Sequence, residues 1–369
     1  MTEQFPQTHP ILTDEELRER IASLESPETP TDTALEILTS EDVMMNLFKT
    51  LVPRWTPGEH RVKKCQSVVL KRRLGSRQVI SYKLELETNA TDNNMILEVI
   101  AKRYANSLEG QEVSKTMRRL WDGEFGKGHQ SKIPRPLSYL RGPRLLFQEK
   151  VRGVSLDHHL ARENPSSHLR VGTAGRWLAK LHHHPIEGIR SKAYEQESPE
   201  TLASRIAERY PSVATRLNEV ASLIREKSES FGRVPLAMVH GDFQPENIFA
   251  TQDGATAIDL DRVHLSDPAT DLGNFLAQTI VKGIRREWVS AEVHRNIRAF
   301  LDSYLEAIPD HDAEGLVRRI PVRVAASCLE ILYYILCVVS DDRPELLSAF
   351  LETMTRLAVA SKLDEVLDA

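Results

Sequence analysis

The spacing of apolar residues changes along the chain, from a two-residue repeat to a helical repeat. Residues 77–87 alternate between apolar and polar side chains, and residues 65–72 and 95–104 are rich in β-forming residues. From about residue 166 onward the apolar positions recur every three or four residues, in places interrupted by proline or glycine. The helical segments predicted in this way are 166–184, 198–231, 269–308, 313–341 and 343–366. The pattern therefore predicts a small β-rich region followed by a long helical region.

The first sixty residues have a different pattern. Residues 14–26 and 33–53 are amphipathic with a helical repeat, and the proline-rich segment 26–32 separates them. Such helices either pack on the β-rich region or bind a partner. Packing is favoured, because a helix with one apolar stripe must bury that stripe somewhere.

The composition narrows the classes of protein. The chain has 369 residues, enough for two units with cores of their own, and its formal net charge of −5 gives no basic field for nucleic acid. The first residues lack the basic and apolar regions of a signal peptide, and the longest apolar stretch, 325–339, is short and interrupted by Glu330. Three cysteines, Cys65, Cys328 and Cys337, fit a reducing compartment. We expect a cytoplasmic protein that binds neither nucleic acid nor a membrane, and the sequence carries no indication of its oligomeric state.

Candidate chemistry is concentrated in residues 236–276. The apolar run 236–239 leads into the triplet HGD at 240–242, and Asn247 follows Asp242 after a short loop. Such a loop between two strand-like runs lets both side chains face one site, while the apolar pair behind Asn247 anchors the loop in the core.

A further acidic group follows in a predicted hairpin. Residues 251–254, TQDG, form a turn tetrad, and the short apolar run after it ends at Asp259, with Asp261 close behind. Transfer of a phosphoryl group requires a carboxylate beside the attacking hydroxyl and oxygen ligands that hold Mg²⁺ against the nucleotide phosphates. Asp242, Asn247 and Asp259 supply that set.

These blocks resemble the aminoglycoside phosphotransferase and choline kinase family, the small-molecule branch of the protein-kinase-like fold. The family pattern is HGD, four variable residues and Asn, then Ile-Asp, Asp-Pro and Asp-Leu, with counterparts here at 240–242, Asn247, 258–259, 267–268 and 271–272. Protein kinases usually carry arginine where Gly241 stands, and no Phe-Gly follows Asp259, which favours a small-molecule acceptor. Gln244 and Glu246 depart from the commoner pattern, in which His and Gly are frequent.

The resemblance implies an α+β fold with two lobes. The smaller N-lobe is an antiparallel β-sheet with one helix, and the larger C-lobe is mainly helical. We assign residues 1–60 to a helical N-terminal extension, 61–150 to the nucleotide-binding N-lobe, and 151–369 to the helical C-lobe with the catalytic loop and the acceptor site.

The resemblance also implies roles for the acidic residues. Asp242 orients the acceptor hydroxyl and takes its proton, Asn247 and Asp259 bind Mg²⁺, and Asp261 assists a second metal or the acceptor. Asp271 braces the catalytic loop by accepting backbone hydrogen bonds.

In the N-lobe, the resemblance assigns Lys102, at the end of the third strand, to the α- and β-phosphates of the nucleotide. Glu112, in the first turn of a helix predicted over 111–121, is its expected partner. Lys83 and Glu109 are the alternatives for these two roles.

The segment 144–156 resembles the adenine-binding linker of the family. The backbones of Glu149 and Val151 are expected to hold the adenine ring, with Phe147 lining its pocket; the alternative is an ordinary last strand of a sheet. Gly75, between the first two strands, is either a hairpin turn or part of a loop over the phosphates, and a single glycine makes a poor phosphate cradle.

Acceptor contacts are expected from the helical region. The candidates are Arg262, His264, Trp288, Tyr304, Glu330, Tyr333 and Tyr334. Three consecutive histidines at 182–184 suggest a metal site, but adjacent helical residues point in different directions, so an ordinary helix end is favoured.

The sequence thus predicts a small-molecule kinase that moves the γ-phosphoryl group of ATP or GTP, with Mg²⁺, to a hydroxyl of a sugar, aminoglycoside or amino alcohol. The alternative is a nucleotide-binding pseudokinase that serves as a regulatory or scaffold module. A protein kinase is disfavoured by the HGD triplet and by the missing activation segment between Asp259 and Asp271.

Overall fold

A computed structural model describes residues 13–26, 29–72, 77–88, 91–128, 130–160, 167–185, 197–286, 290–339 and 345–363. The chain forms two compact units. The sheet unit comprises Met1–Gly123 and Pro134–Val151, and the helical unit comprises Glu124–Ile133 and Arg152–Ala369. The division into three domains at residues 60 and 150 stays a prediction.

The described residues of the sheet unit form four α-helices and one antiparallel sheet of five strands, in the order β1, β2, β3, β6, β5. Its helices are α1 (Asp14–Ser23), α2 (Thr31–Thr39), α3 (Glu41–Trp55) and α4 (Ser107–Leu120). Its strands are β1 (His60–Arg72), β2 (Arg77–Thr88), β3 (Thr91–Tyr104), β5 (Pro136–Leu140) and β6 (Leu145–Glu149). The numbers run along the whole chain, and β4 belongs to the helical unit.

One face of this sheet packs on the first three helices. Tyr82, on the apolar side of the alternating strand β2, is fully buried, and its hydroxyl donates to Leu38 O at 2.6 Å. The ring of Phe48 on α3 meets the rings of Tyr82 and Phe147 edge-on, at centroid distances of 5.0 and 5.8 Å. The N-terminal helices therefore share one core with the sheet, as their apolar stripes predict.

The opposite face of the sheet packs on α4. Gly110 lies so close to it that a Cβ atom there would come within 2.7 Å of the Tyr104 ring and 2.8 Å of the Tyr139 ring. The side chain of Asn106 accepts a hydrogen bond from Leu108 N at 2.8 Å, a cap that starts α4 at Ser107. The helix therefore begins earlier than the predicted residue 111.

The helical unit carries eight α-helices in its described residues, with two small sheets between them. The helices are α5 (Leu156–Leu160), α6 (Ser167–His182), α7 (Pro199–Arg209), α8 (Ala214–Ser230), α9 (Ala269–Arg285), α10 (Ser290–Leu305), α11 (Asp310–Tyr333) and α12 (Glu345–Val359). The strands are β4 (Ser131–Lys132), β7 (Ala237–Val239), β8 (Ile248–Ala250), β9 (Ala255–Ala257) and β10 (His264–Ser266). Strand β7 pairs with β10, and β9 lies between β4 and β8.

An aromatic cluster fills the centre of the helical unit. Trp177 stacks on Phe243 at 5.6 Å between ring centroids, and Phe275 stacks on Phe300 at 4.0 Å. All four rings are buried, and Trp177 Nε1 donates to Lys132 O at 2.7 Å. Because Phe243 directly follows Asp242 in sequence, the cluster fixes the loop that carries the predicted catalytic aspartate.

The apolar stretch near the end of the chain belongs to a long helix. Residues Asp310–Val339 are long and apolar enough to cross a membrane by length and composition alone, and 56% of their most apolar window is buried inside the protein. A core helix passes the same test.

An antiparallel sheet followed by a mostly helical remainder confirms the α+β prediction.

Candidate active site

The HGD loop, residues 240–247, leaves strand β7 and is held by Asp271 in the first turn of α9. The carboxylate of Asp271 accepts the backbone N–H of His240 at 2.6 Å and that of Gly241 at 2.9 Å. The side chain of Asp271 is 1% exposed, so these hydrogen bonds lie in a dry environment where they are strong. The predicted brace on the loop is confirmed.

The ring of His240 joins the HGD loop to the second acidic segment. Its Nδ1 atom accepts the backbone N–H of Asp242 at 3.3 Å, and its Nε2 atom lies 3.0 Å from Ile258 O. A backbone N–H only donates and a carbonyl only accepts, so the neutral ring carries its proton on Nε2. The histidine of the motif therefore acts as a structural link.

Gly241 is required by the close approach of the next turn. Its φ of +76° is in the left-handed region, and a Cβ atom there would lie 2.5 Å from Arg262 O. Residues 260–262 form a short 3₁₀ turn directly after Asp259. Glycine thus lets the two acidic segments come together.

Two side-chain amides fix the carboxylate of Asp242. Gln244 Nε2 donates to Oδ1 at 3.1 Å, and Asn247 Nδ2 donates to Oδ2 at 3.2 Å and to the Asp242 carbonyl at 3.0 Å. The side chain of Asp242 remains partly exposed. Each carboxylate oxygen has more than one acceptor site, so an oriented and accessible acceptor for a hydroxyl proton remains.

Asn247 and Asp259 are brought together by a hairpin. Strands β8 and β9 are antiparallel, with Ile248 opposite Ala257, and Ile258 N donates to Asn247 O at 2.8 Å. The next residue, Asp259, has φ 64° and ψ 49°, a conformation that is uncommon outside glycine and found often at functional sites. The turn at 251–254 closes the hairpin through Thr251 N and Gly254 O at 2.8 Å.

The residues at this hairpin fit a hard cation. Because the amide nitrogen of Asn247 faces Asp242, its amide oxygen is left as the free acceptor, and Asp259 adds a carboxylate. Oxygen donors of this kind suit Mg²⁺, which is commonly held by one or two protein ligands together with phosphates and water. Within the described residues no cluster of three or more His, Cys, Asp or Glu side chains could hold a metal ion.

Behind the HGD loop, Asp271 is also bound by His182 at the end of α6. His182 Nε2 lies 3.2 Å from Asp271 Oδ2, and His182 Nδ1 lies 2.8 Å from the hydroxyl of Tyr304. Burial by itself raises the pKa of Asp271, but the hydrogen bonds from His182 and from the backbone of His240 outweigh it, so the pKa is lowered. The carboxylate therefore stays ionised, and its negative charge strengthens the hydrogen bonds that it accepts from the backbone N–H groups of the loop.

Asp267 fixes the start of α9. It caps Ala269 N at 3.0 Å and accepts hydrogen bonds from the guanidinium of Arg319 at 3.1 to 3.2 Å, and Arg323 approaches it at 3.3 Å. Asp267 and Arg319 are both buried, so the charges compensate each other out of water. The pair ties α11 to the helix that carries Asp271.

In the sheet unit, Lys102 is 7% exposed and lies on the sheet face that packs on α4. Glu112 is not brought to it. Residues 110, 113, 114, 117 and 120 form the buried stripe of α4, and Glu112 lies on the other side of the helix, where it pairs with Lys115 at 2.8 Å. The predicted partnership of Lys102 and Glu112 is therefore wrong.

Phe147, predicted to line the adenine pocket, lies in the core of the sheet unit. Phe147 is opposite Ala101 in the register of β6 and β3, and it lies in the core against α3, on the face away from Lys102. The prediction that Phe147 lines the adenine pocket is wrong, because side chains alternate along a strand and this one points into the core. Leu146, opposite Lys102, shares the lysine face.

Glu149 and Val151 stay candidates through their backbones. The predicted role uses the backbone N–H and C=O groups of these residues. The N–H of Glu149 already donates to Arg135 O at 3.0 Å, so its carbonyl is the backbone group that is left for a ligand. Its side chain pairs with Arg135 at 3.2 Å. Val151 lies beyond the end of β6, outside the ladder with β3.

The remaining predicted residues have varied environments. Gly75 and Trp288 lie outside the described residues. Asp261 and His264 are buried. Tyr304 is 1% exposed, and its hydroxyl lies 2.8 Å from His182 Nδ1. His183 and His184 contact other partners, Asp312 and Phe125, so the three histidines do not converge.

The contacts that His182 and Gln244 make with the HGD loop could not be predicted from the sequence. His182 was one of three equivalent histidines, and only the packing of α6 selects it. Gln244 was visible as a departure from the family pattern, but its contact with Asp242 depends on the fold of the loop.

With this geometry in place, comparisons with known proteins agree on the class. The model of a family described as "Phosphotransferase enzyme family" matches residues 83–313, more than half of the chain. The chain therefore belongs to this phosphotransferase family. No curated protein matches the chain.

Two solved structures show that the fold is kinase-like. An ethanolamine kinase of Plasmodium vivax is 13% identical, with a TM-score of 0.51, and the match covers 97% of this chain and 97% of that one. The amicoumacin kinase hAmiN, solved in complex with AMP-PNP, Ca²⁺ and Ami, is 14% identical, with a TM-score of 0.50, and the match covers 79% of this chain and 87% of that one. At such identities the similarity shows the fold alone, and it confirms the predicted two-lobed protein-kinase-like class.

Proposed function

We propose that this phosphotransferase moves the γ-phosphoryl group of ATP or GTP to a hydroxyl of a small molecule such as a sugar, aminoglycoside or amino alcohol. The observation that carries the proposal is the HGD loop itself. Asp242 is oriented by two amides, and the hairpin brings Asn247 and Asp259 together. An oriented carboxylate is needed to receive the proton of a hydroxyl acceptor, and paired oxygen ligands are needed to hold the metal of the nucleotide.

In this mechanism Asp242 positions the acceptor hydroxyl and accepts its proton as the bond to phosphorus forms. Its two amide contacts leave the carboxylate little freedom to rotate, which reduces the entropy lost on reaching the reactive geometry. Asn247 and Asp259 would hold Mg²⁺, which supplies positive charge next to the phosphate oxygens when bound. Asp271 keeps the loop in place from behind.

For the sheet unit we propose that Lys102 binds the nucleotide phosphates and that the backbones of Glu149 and Val151 contribute to adenine recognition. A lysine on a strand inside a packed unit presents its ammonium group from a fixed base, which suits a point charge for phosphate. Glu112 and Phe147 have no part in this proposal, since the structure directs both elsewhere. A cytoplasmic location stays a prediction.

The alternative, a pseudokinase that binds nucleotide as a scaffold, has no observation in its favour. Every polar residue of the HGD loop that the chemistry needs is present, and Asp242 is accessible. A scaffold has no use for an oriented carboxylate.

The test is nucleotide consumption by the purified protein with Mg²⁺, against a panel of sugars, aminoglycosides and amino alcohols. The matched control is Asp242→Asn, which keeps the shape of the side chain and removes its basicity. Turnover should fall about 10²- to 10⁴-fold in the variant, with the dissociation constant of the nucleotide unchanged. Retained turnover in the variant would remove Asp242 from catalysis. A parent that binds nucleotide tightly but turns over no acceptor would favour the scaffold.

A further inference from the structure

Lys282, on the last turns of α9, lies between two carboxylates of the helical unit. Its ammonium nitrogen is 3.0 Å from Asp157 Oδ1 on α5, and it also forms an ion pair with Glu246 of the HGD loop. The lysine side chain is 10% exposed, and that of Asp157 is 16% exposed. A charge removed from water in this way must be compensated by neighbours, and here two acidic groups from different elements do so.

Asp157 is the fixed end of this arrangement. Arg286, the C-cap residue that follows α9, donates from both terminal nitrogens to the two oxygens of Asp157 at 3.3 and 3.2 Å. Burial by itself raises the pKa of Asp157, but the charges and hydrogen bonds of Lys282 and Arg286 outweigh it and lower the pKa. Asp157 therefore stays charged, and Arg286 binds it beside Lys282.

Glu246 is the carboxylate through which Lys282 contacts the HGD loop. It belongs to the 3₁₀ turn Pro245–Asn247, directly before Asn247, and its side chain is 44% exposed. The turn is held by backbone bonds, from Asn247 N to Gln244 O at 2.9 Å and from Ile248 N to Pro245 O, and by the Asn247 side chain, which reaches Asp242, but none of these bonds involves the Glu246 side chain. The ion pair with Lys282 adds an attachment from outside the loop, at the position next to the proposed metal ligand.

We infer that Lys282 is a positioning residue, which holds the turn carrying Asn247 through its ion pair with Glu246. It touches neither nucleotide nor acceptor in this scheme. Glu246 is the residue that departs from the glycine frequent in similar sequences, so the attachment belongs to the particular side chains of this chain. The inference rests on the proposed function only for its metal readout, because the order of the turn can be measured without metal or substrate.

The test compares the parent with Lys282→Met, Lys282→Arg and Glu246→Gln. Methionine keeps the apolar stem of lysine and removes the charge, and arginine restores a charge that can reach both carboxylates. Lys180→Met is the matched control, since Lys180 is a half-buried lysine on α6 that pairs with Glu124 away from the HGD loop.

The first measurement is hydrogen exchange of the metal-free protein, followed by mass spectrometry. We expect peptides covering 242–250 to exchange at least about threefold faster in Lys282→Met and Glu246→Gln, and at the parental rate in Lys282→Arg and Lys180→Met. The far ends of α9 and α11 report on general destabilisation and should not change. Unchanged exchange of 242–250 in Lys282→Met, or an equal rise across the whole helical unit, would overturn the inference.

The second measurement is the Mg²⁺ concentration that gives half-maximal stabilisation of the protein by nucleotide in thermal unfolding. It should rise about tenfold in Lys282→Met and Glu246→Gln, and the double variant should add little to either, because both act through one ion pair. Independent, additive effects would overturn the inference. If the parent consumes no nucleotide with any acceptor, the proposed function fails while the exchange result still decides the role of Lys282.

Discussion

The backbone N–H of His240 donates to Asp271 Oδ2 at 2.6 Å, although the two residues are 31 positions apart. The first residue of the HGD loop is thereby tied to the first turn of a helix that follows the second acidic segment. His182 and Gly241 bind the same carboxylate, so one buried charge holds the start of the loop. The effects expected from substituting Asp271 or Gly241 follow from this arrangement.

Asp271→Asn should destabilise the helical unit by about 1.5 to 3 kcal/mol, the range for losing a hydrogen bond to a buried charged group. The amide loses the negative charge and turns an NH₂ group toward backbone donors. The measurement is the free energy of unfolding in denaturant. Asp253→Asn, in the exposed turn between β8 and β9, is the control and should change it by less than about 0.5 kcal/mol.

The pH dependence of the same site has a defined sign. The folded pKa of Asp271 is lowered, so its stabilisation is complete above the unfolded value near 3.8 and is lost as the pH falls below it. The parent should therefore lose its advantage over Asp271→Asn in acid. An advantage that persists unchanged at low pH would contradict the buried charge.

Gly241→Ala should destabilise the HGD loop and reduce turnover together. The new Cβ would lie 2.5 Å from Arg262 O, in addition to the cost of about 1 to 2 kcal/mol for a left-handed backbone. Gly232→Ala is the matched control, since Gly232 has φ +60° and a Cβ atom added there would meet no atom within 4 Å. If both variants lose the same free energy of unfolding, the approach of Arg262 is not what requires glycine.

Lys102→Ala should lower kcat/KM for the nucleotide by at least about tenfold, roughly 1.4 kcal/mol, because phosphate charge is left without its partner. Lys83→Ala is the control. Lys83 is on the neighbouring strand β2 with an exposed side chain, and its removal should have little effect. A silent Lys102→Ala together with a damaging Lys83→Ala would reverse the assignment of the two lysines.

Glu330→Gln should make the protein relatively more stable as the pH rises. Burial raises the pKa of Glu330 to about 7 against the opposing charges of Arg262 and Arg323. A raised folded pKa favours the protonated form, so the stabilisation is complete below the unfolded value near 4.5 and is lost as the pH rises through about 7.

The difference between parent and Glu330→Gln should therefore change by about 3 kcal/mol between pH 4.5 and 8, at most. It is measured from unfolding free energies at several pH values in that range. Glu314→Gln, on the same helix with a side chain 79% exposed, is the control and should show no such trend. A difference that does not vary with pH would show that Glu330 ionises freely in the folded protein.

The sequence and the structure agree best where local pattern and chemistry point the same way. The alternation of residues 77–87 predicted a strand, and β2 is that strand. The tetrad 251–254 predicted a hairpin, and Thr251 and Gly254 close it. Both features depend on residues close in sequence, so their physics is visible in the sequence.

Agreement fails where a partner is chosen by packing. Glu112 suited the first turn of a helix predicted from residue 111, but the helix begins at Ser107, and Glu112 lies on the side away from its buried stripe. Phe147 was placed by its neighbourhood in sequence, while the register of β6 with β3 decides which sheet face it occupies. A shift of one position reverses the direction of a strand side chain.

By itself, the sequence determined the class of this protein and the acidic residues of its HGD loop, because the order and spacing of those blocks are set by the reaction they serve. Tertiary structure alone decided which distant residues support them. It selected His182 from three adjacent histidines and placed Lys282 between Asp157 and Glu246. Such choices depend on how helices far apart in sequence pack, and helical periodicity defines a face without naming the element that covers it.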